Sequence, residues 1–321
     1  MRASAPGKLH LAGEYAVLDG APAVVMAIDR RAVATLVDQP GARSPLLEEL
    51  ETICRARFGA GSAQAERAAR VVVDSSRLQI EVGEVGGAGT PCKLGVGSSS
   101  AAAVAAAAVV LGHGGCAIVT ELATVVHAAA QARRGAAGSG ADVAVAATGG
   151  VIAFRRGAPA QALTLPAGLV WVPVWLGAAA DTPTLVAAVE AGRAAQPTAV
   201  GAALAAIGAA SRALVGACVA DDAGAAMAAV AAGDAAMQTL AAATGAPLVP
   251  PALAALRDVA RRHGGVAKTT GAGGGDVAVL ALPALGPAEM VRVRNELAAT
   301  GLTVLDLAMD PRGVDFAAGA E

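Results

Sequence analysis

Only three lysines occur in the 321 residues, and each stands in or beside a glycine-bearing segment: Pro6-Gly7-Lys8, Lys93-Leu94-Gly95-Val96-Gly97, and Lys268-Thr-Thr-Gly-Ala-Gly-Gly-Gly275. Glycine-dense segments lose too much conformational entropy to serve as element interiors, so they fix where the chain turns or lets its backbone approach something closely. All other basic residues except histidine are arginine. The lysines therefore mark these places either by chance in an arginine-biased chain or because a compact point charge is wanted there.

Between the glycine segments the chain is apolar but poor in rings: 55% hydrophobic, 2% aromatic. Such a core is built from Ala, Val and Leu at close helix spacings. Strand patterning runs from Leu9 to Val37, with turn signals at Asp19-Gly20 and Ala21-Pro22, and again from Val71 to Val82. Helical spacing covers Leu46–Phe58, Ser98–Leu111 and about Thr120–Arg134, with a loop over Gly83–Gly97. Beyond the Gly149-Gly150 turn come strands Val151–Arg155 and Leu169–Leu176, then alanine-rich helices between Pro183 and Arg262. The end reads as loop Gly264–Gly275, strand Val277–Leu282, helix Pro287–Ala299 and strand Leu302–Leu307. Mixed strands and helices with a β-α-β ending predict an α+β chain.

Several function classes lose support. A net charge of -2 provides no field for gripping nucleic acid or an anionic membrane. Four scattered cysteines, without C-x-x-C or histidine at ligand spacing, do not build a zinc site or a disulfide framework and read as reduced thiols. Pro6, Gly7 and Lys8 interrupt the N-terminus before an apolar leader could form, and runs such as Ala101–Leu111 are shorter than a membrane span, so the expectation is a soluble, cytoplasmic protein.

Chemistry concentrates in three places. In the first, Gly95 and Gly97 permit close backbone approach, and Ser98, Ser99 and Ser100 open a helix whose free N–H groups attract an anion; plain N-capping after a turn is the alternative. The segment is neither a G-x-x-x-x-G-K-[ST] loop nor a G-x-G-x-x-G fingerprint, since Ser100 stands where the third glycine belongs. In the second, Gly138-Ser139-Gly140-Ala-Asp142 offers a lone carboxylate, functional or merely a helix cap, and His127 and Gln131 precede it one helical turn apart. In the third, Thr270, Gly271, Ala272, Gly273, Gly274 and Asp276 form a loop suited either to clamping an anion or to a sharp turn.

These residues resemble the GHMP kinases, named for galactose, homoserine, mevalonate and phosphomevalonate, over nearly the whole chain. Pro6 to Leu18 looks like the first motif of that family, Gly95 to Ala101 like the second, and Lys268 to Asp276 like the third. The resemblance implies an N-terminal domain like ribosomal protein S5 domain 2 over 1–165 and a C-terminal ferredoxin-like domain over 166–321. Lys93 ahead of Gly-Val-Gly-Ser-Ser, the His127/Gln131 pair, Asp142, Asp276 and the segment Trp175 to Thr182 are similar to the phosphomevalonate kinase branch. Where mevalonate kinases supply a glutamate for magnesium, Gln131 occupies the matching stretch.

The implied activity is transfer of the ATP γ-phosphoryl group to 5-phosphomevalonate. Mevalonate kinase or another hydroxyl-phosphorylating relative is the alternative; a catalytically silent ligand-binding protein of the same fold and a nicotinamide-dependent oxidoreductase stand further off. On the same basis Lys8, Lys93 and Asp142 would be catalytic and Gly95, Val96, Gly97, Ser98, Ser99 and Ser100 would bind ATP. Ser99 would help hold Mg²⁺. Lys8, Tyr15, Ser139, Gly140, Thr270, Gly271, Ala272, Gly273, Gly274 and Asp276 would bind substrate. No nucleic-acid or membrane partner is implied, and the protein would be a monomer or homodimer. A phosphomonoester acceptor is already anionic at neutral pH, so repulsion outweighs deprotonation as the obstacle: two unit charges about 4 Å apart cost roughly 4 kcal/mol at an effective dielectric of about 20.

Overall fold

The computed structural model describes residues 1–82, 90–136 and 138–318. In chain order the elements are β1 (Arg2–Ala12), β2 (Ala23–Leu36), α1 (Pro45–Phe58), α2 (Ala63–Arg70), β3 (Val71–Asp74), β4 (Gln79–Val82), β5 (Thr90–Lys93), α3 (Ser98–Leu111), α4 (Cys116–Ala132) and α5 (Ala141–Thr148). There follow β6 (Val151–Phe154), β7 (Gln161–Leu163), β8 (Leu169–Trp175), α6 (Thr182–Ala195), α7 (Pro197–Ala220), α8 (Ala223–Thr244), α9 (Ala252–Arg262), β9 (Val266–Thr269), β10 (Val277–Pro283), α10 (Pro287–Ala299), β11 (Thr303–Val304) and β12 (Asp315–Ala317). They form two compact units that interleave along the chain. One holds Met1–Lys8, Met26–Gly150 and Ala308–Glu321; the other holds Leu9–Val25 and Val151–Leu307.

In the first unit the start of β1 (Arg2–Ser4) pairs antiparallel with β12, and the end of β2 (Val33–Leu36) pairs antiparallel with β3. Its core is centred on α3, where every residue from Ala103 to Val110 is at most 1% exposed. A helix apolar on all faces must be covered on all sides. Here α1, α2, α4, α5 and β3 supply the cover, and alanine lets them approach closely. Gly112, left-handed at φ 76°, ends the helix by donating its N–H to the carbonyl of Ala108. The returning C-terminal segment is anchored by buried Arg31, which donates to Asp310 Oδ2 at 2.5 Å, to Ser4, and to the carbonyls of Arg312 and Gly313. Gly313 lies so close to α5 that a Cβ there would be 2.0 Å from the Ala147 carbonyl oxygen.

In the second unit β11, β8, β10 and β9 form an antiparallel sheet in that order. Leu253, Leu256 and Val259 of α9 and Val293 and Leu297 of α10 pack with Ala267, Ala278, Leu280 and Leu282 of the strands. Alternation along β9 sends Lys268 the other way from Ala267, towards α8, where Gly233 would place a Cβ 3.9 Å from Lys268 Cε. A separate cluster joins Tyr15 and Ala16 to α6, α7 and α8 through Leu185, Val189, Leu204, Ile207, Met237 and Leu240. α7 and α8 have mean hydropathies of 1.7 and 1.2 and are long and apolar enough to cross a membrane by length and composition alone; 50% and 44% of their apolar windows are buried inside the protein.

The α+β expectation and the bounds of α3 and α10 agree with the structure. Other elements differ for local reasons. The first strand starts at Arg2 rather than Leu9, because Lys8 and its neighbours sit in a sheet. Val71–Val82 is divided by a short 3-10 turn over Ser76–Leu78, set up by the Ser76 N–H donating to the Asp74 carboxylate. Within the expected loop Gly83–Gly97, Thr90–Lys93 is β5 paired with β4, and 83–89 lie outside the described residues. α4 starts at Cys116, not Thr120, and part of the expected loop Gly264–Gly275 is β9.

Candidate active site

The chemistry-bearing residues fall in both units. In the first, β1 delivers Lys8, whose backbone N–H donates to the carbonyl of Val96 at 2.8 Å. Glycine is required on both sides of this contact. A Cβ at Gly7 would stand 2.7 Å from the Val96 carbonyl oxygen, and one at Gly97 would stand 2.8 Å from Lys8 Cγ. Gly97 also sits at φ 80°, where any other residue is strained. The Lys8 side chain thus runs, buried, beneath the N-terminus of α3.

That N-terminus has no side-chain cap. Ser100 donates its hydroxyl to the Gly97 carbonyl at 2.8 Å. The first N–H groups of α3 therefore keep their attraction for an anion, reinforced by the helix dipole and by the ammonium below. Gly95, at φ 69°, and Ser99 are exposed, whereas Leu94 and Val96 are buried and peg the loop to the core.

Lys8 Nζ lies 3.4 Å from Asp142 Oδ2. Asp142 occupies the first turn of α5, entered through left-handed Gly140 at φ 92° and through Ser139, whose hydroxyl accepts from the Ala141 N–H at 3.2 Å. Ser139 makes the turn and Gly140 is the N-cap, with no side-chain cap bond, so Asp142 is not the cap of the helix it enters. Asp142 reaches Lys8, 134 positions away in sequence, and its side chain keeps 31% exposure. Beside this pair is His127, whose Nε2 is 3.1 Å from Ser99 Oγ and 3.4 Å from Gln131 Nε2. Burial pushes the His127 pKa below its ordinary value; Asp142 pulls it up and Lys8 adds to the lowering. The imidazole is neutral at physiological pH.

Lys93 ends β5 opposite Gln79, with an exposed side chain. Of the predicted residues in this unit, the structure brings Lys8, Val96, Gly97, Ser100 and Asp142 together through Lys8 and Gly97. His127, which the sequence offers only as one half of the His-x-x-x-Gln pair, touches Ser99.

In the second unit the segment Thr270–Asp276 connects β9 to β10. Its glycines serve close packing on their own chain: a Cβ at Gly273 would be 2.3 Å from the Leu248 carbonyl oxygen, and the Gly274 N–H donates to that same carbonyl at 2.8 Å. Thr270 donates its hydroxyl to the Val277 carbonyl, and Asp276, at φ 53°, accepts from the Ala180 N–H through Oδ1 at 2.9 Å. Tyr15 is buried at φ 58°, ψ -51° and donates its hydroxyl to the Ala272 carbonyl at 2.8 Å. Burial, and then the Glu14 charge, push the phenol pKa upward, so it stays a donor. Lys268 is 1% exposed and pairs with buried Glu14 while donating to the Thr269 carbonyl at 2.7 Å. Of the three lysines this one is an internal strut, not a phosphate ligand.

No protein-family model matches the chain. It is 26% identical to a phosphomevalonate kinase of Streptomyces sp. (strain CL190), over 97% of both chains. Among solved structures it is similar to the Lin0012 protein of Listeria innocua, with a TM-score of 0.80, 20% identity and 99% of each chain covered. It is also similar to the Streptococcus pneumoniae phosphomevalonate kinase solved with phosphomevalonate and AMPPNP, with a TM-score of 0.73 and 17% identity, covering 96% of this chain and 99% of that one. Mevalonate kinases, a galactokinase and a homoserine kinase share the architecture at TM-scores of 0.62 to 0.68. The chain has the GHMP kinase fold. Within that fold, the Lys8–Asp142 pair and the uncapped α3 are the features of the first unit able to neutralise and orient anionic groups.

Proposed function

We propose that this protein transfers the γ-phosphoryl group of ATP to the phosphate of 5-phosphomevalonate, giving the 5-diphosphate, as a cytoplasmic enzyme of isoprenoid precursor synthesis. The observation that carries the reading is the buried ammonium of Lys8, held by Asp142 under the N-terminus of α3. A cation there offsets the repulsion between two phosphate groups, which is the main barrier when the acceptor is already an anion. The choice of phosphomevalonate over mevalonate is supported by the relative of that name, which aligns over 97% of its length.

In this reading Gly95, Val96, Gly97, Ser98, Ser99 and Ser100 hold the ATP phosphates through the free backbone N–H groups at the start of α3. Lys93 contributes a second positive charge at the transferred group. Asp142 fixes the direction of the Lys8 ammonium and, with Ser139 and Gly140, borders the acceptor; no strong base is needed. Tyr15 and Thr270–Asp276 remain the further substrate-binding residues that the resemblance implies, offering backbone groups more than side chains, because Tyr15, Thr270 and Asp276 already have internal partners.

No cluster of three or more His, Cys, Asp or Glu stands among the described residues. The donor set fits a magnesium ion that keeps water and phosphate oxygens as most of its ligands, with Ser99 and Asp142 as the protein oxygens within reach of the α3 N-terminus. When bound, Mg²⁺ would neutralise charge on the nucleotide phosphates.

The test is an ADP-release assay with purified protein and MgATP across phosphomevalonate, mevalonate, homoserine and galactose. Turnover is expected with phosphomevalonate alone. Equal turnover of mevalonate would refute the acceptor, and no ADP with any of them would refute the kinase reading.

A further inference from the structure

Three serines open α3, and their hydroxyls are not equivalent. Ser100 donates to the Gly97 carbonyl at 2.8 Å, so its proton is spent inside the helix turn. Ser99 instead meets a ring nitrogen, His127 Nε2, at 3.1 Å. Which of the two atoms carries the proton decides what Ser99 can bind.

A third group settles the direction. Gln131, one turn further along α4, aims its amide nitrogen at the same His127 Nε2 from 3.4 Å. An amide N–H₂ donates and cannot accept, so the ring nitrogen facing it carries a lone pair, not a proton. His127 is 7% exposed, which keeps water from competing for that lone pair. The Ser99 hydroxyl is then the donor. Having given its single proton to the imidazole, the oxygen has only lone pairs left to present outward.

The geometry points to His127 as a positioning residue, oriented by Gln131, that makes Ser99 Oγ an acceptor-only oxygen at the mouth of α3 and so adapts the site to a cation-complexed nucleotide over the bare anion. An oxygen in this state cannot donate to a phosphate; it can ligate a divalent cation and it repels an unaccompanied phosphate oxygen. The backbone N–H groups of α3 attract phosphate whether or not a metal is present, whereas Ser99, so held, discriminates. The inference rests on the reading of α3 as the nucleotide site.

The experiment is calorimetric titration, without acceptor or turnover, of ATP in excess Mg²⁺ and of ATP in EDTA. Wild type, His127→Leu, His127→Gln and Ser99→Ala are compared, each checked for folding by circular dichroism. Wild type should prefer MgATP. His127→Leu removes the acceptor and frees the Ser99 proton, and should lower the preference about 10-fold or more, the usual effect of losing a group that orients a metal ligand. His127→Gln returns an amide oxygen near the Nε2 position and should keep the wild-type preference, which a purely packing role for the ring would not allow. Ser99→Ala, at an exposed position that disturbs no core, should lose the preference as His127→Leu does. An unchanged ratio in folded His127→Leu, or in Ser99→Ala, overturns the inference while leaving the nucleotide reading intact. Wild type that binds neither form of ATP overturns both.

Discussion

Replacing Lys268 with methionine keeps the length of the side chain and removes its charge, leaving Glu14 without its cation. The site cannot relax by admitting water, because the two side chains are 1% and 2% exposed. The carboxylate can escape only by taking up a proton. A carboxylic acid in water releases its proton above about pH 4.3, so forcing it neutral near pH 7 costs about 4 kcal/mol at 1.36 kcal/mol per pH unit. That sets the ceiling on the ionic penalty, and the loss of the bond to the Thr269 carbonyl adds about 1 kcal/mol against the packing gained from the thioether. The expected loss is about 3–5 kcal/mol, the range found when one partner of a buried pair is removed. Adding Glu14→Gln to Lys268→Met removes the stranded charge and should restore about 2–3 kcal/mol, so the second substitution stabilises. Both tryptophans, Trp171 and Trp175, lie on β8 of the sheet that carries Lys268, so their fluorescence during urea unfolding reports on the affected unit. A penalty under about 1 kcal/mol, or a double variant weaker than the single one, would refute the account of the pair.

Lys8→Ala should lower kcat by about 10²–10³, as does loss of one group stabilising transition-state charge, with little change in melting temperature because Asp142 stays partly solvated. Gly97→Ala should cost at least about 1–2 kcal/mol from the left-handed backbone alone and abolish nucleotide binding measured by calorimetry, since its Cβ would displace Lys8. For Asp310, burial pushes the pKa up, but the Arg312 N–H and the Arg31 guanidinium outweigh it and hold the value below the ordinary one. Its stabilising contribution is therefore complete above the unfolded value of about 3.9 and lost as pH falls through the lower folded value; Asp310→Asn should flatten that acid limb of stability against pH.

Where sequence and structure agree, the signal is local. Gly97 before Ser98 and Gly112 after Leu111 bracket α3, and an unbroken alanine and valine run between them leaves no alternative to a buried helix. Where they part, the deciding partner is distant. Lys268 reads as a loop residue because a charge interrupts a short apolar stretch, and only Glu14, 254 positions away, makes it a strand interior. α5 hides in a glycine and serine cluster and is eight residues long, below the length at which periodicity speaks. α2 is as short, and its Ser62 cap was the available cue. The membership of Leu9–Val25 in the second unit has no local signature at all. In the candidate site, the identities of Lys8, Ser99 and Asp142 were legible from motif resemblance. The contact of His127 with Ser99 was not, because helix periodicity places His127 beside Gln131 but says nothing about what the ring faces.

The central claim is that the acceptor is a phosphate. Phosphorus NMR of a reaction containing the protein, MgATP and 5-phosphomevalonate tests it without coupling enzymes. The account predicts loss of the phosphomonoester resonance and growth of two mutually coupled diphosphate resonances, in step with formation of ADP. A phosphomonoester signal that persists while mevalonate, offered in its place, is converted to a monoester would contradict it.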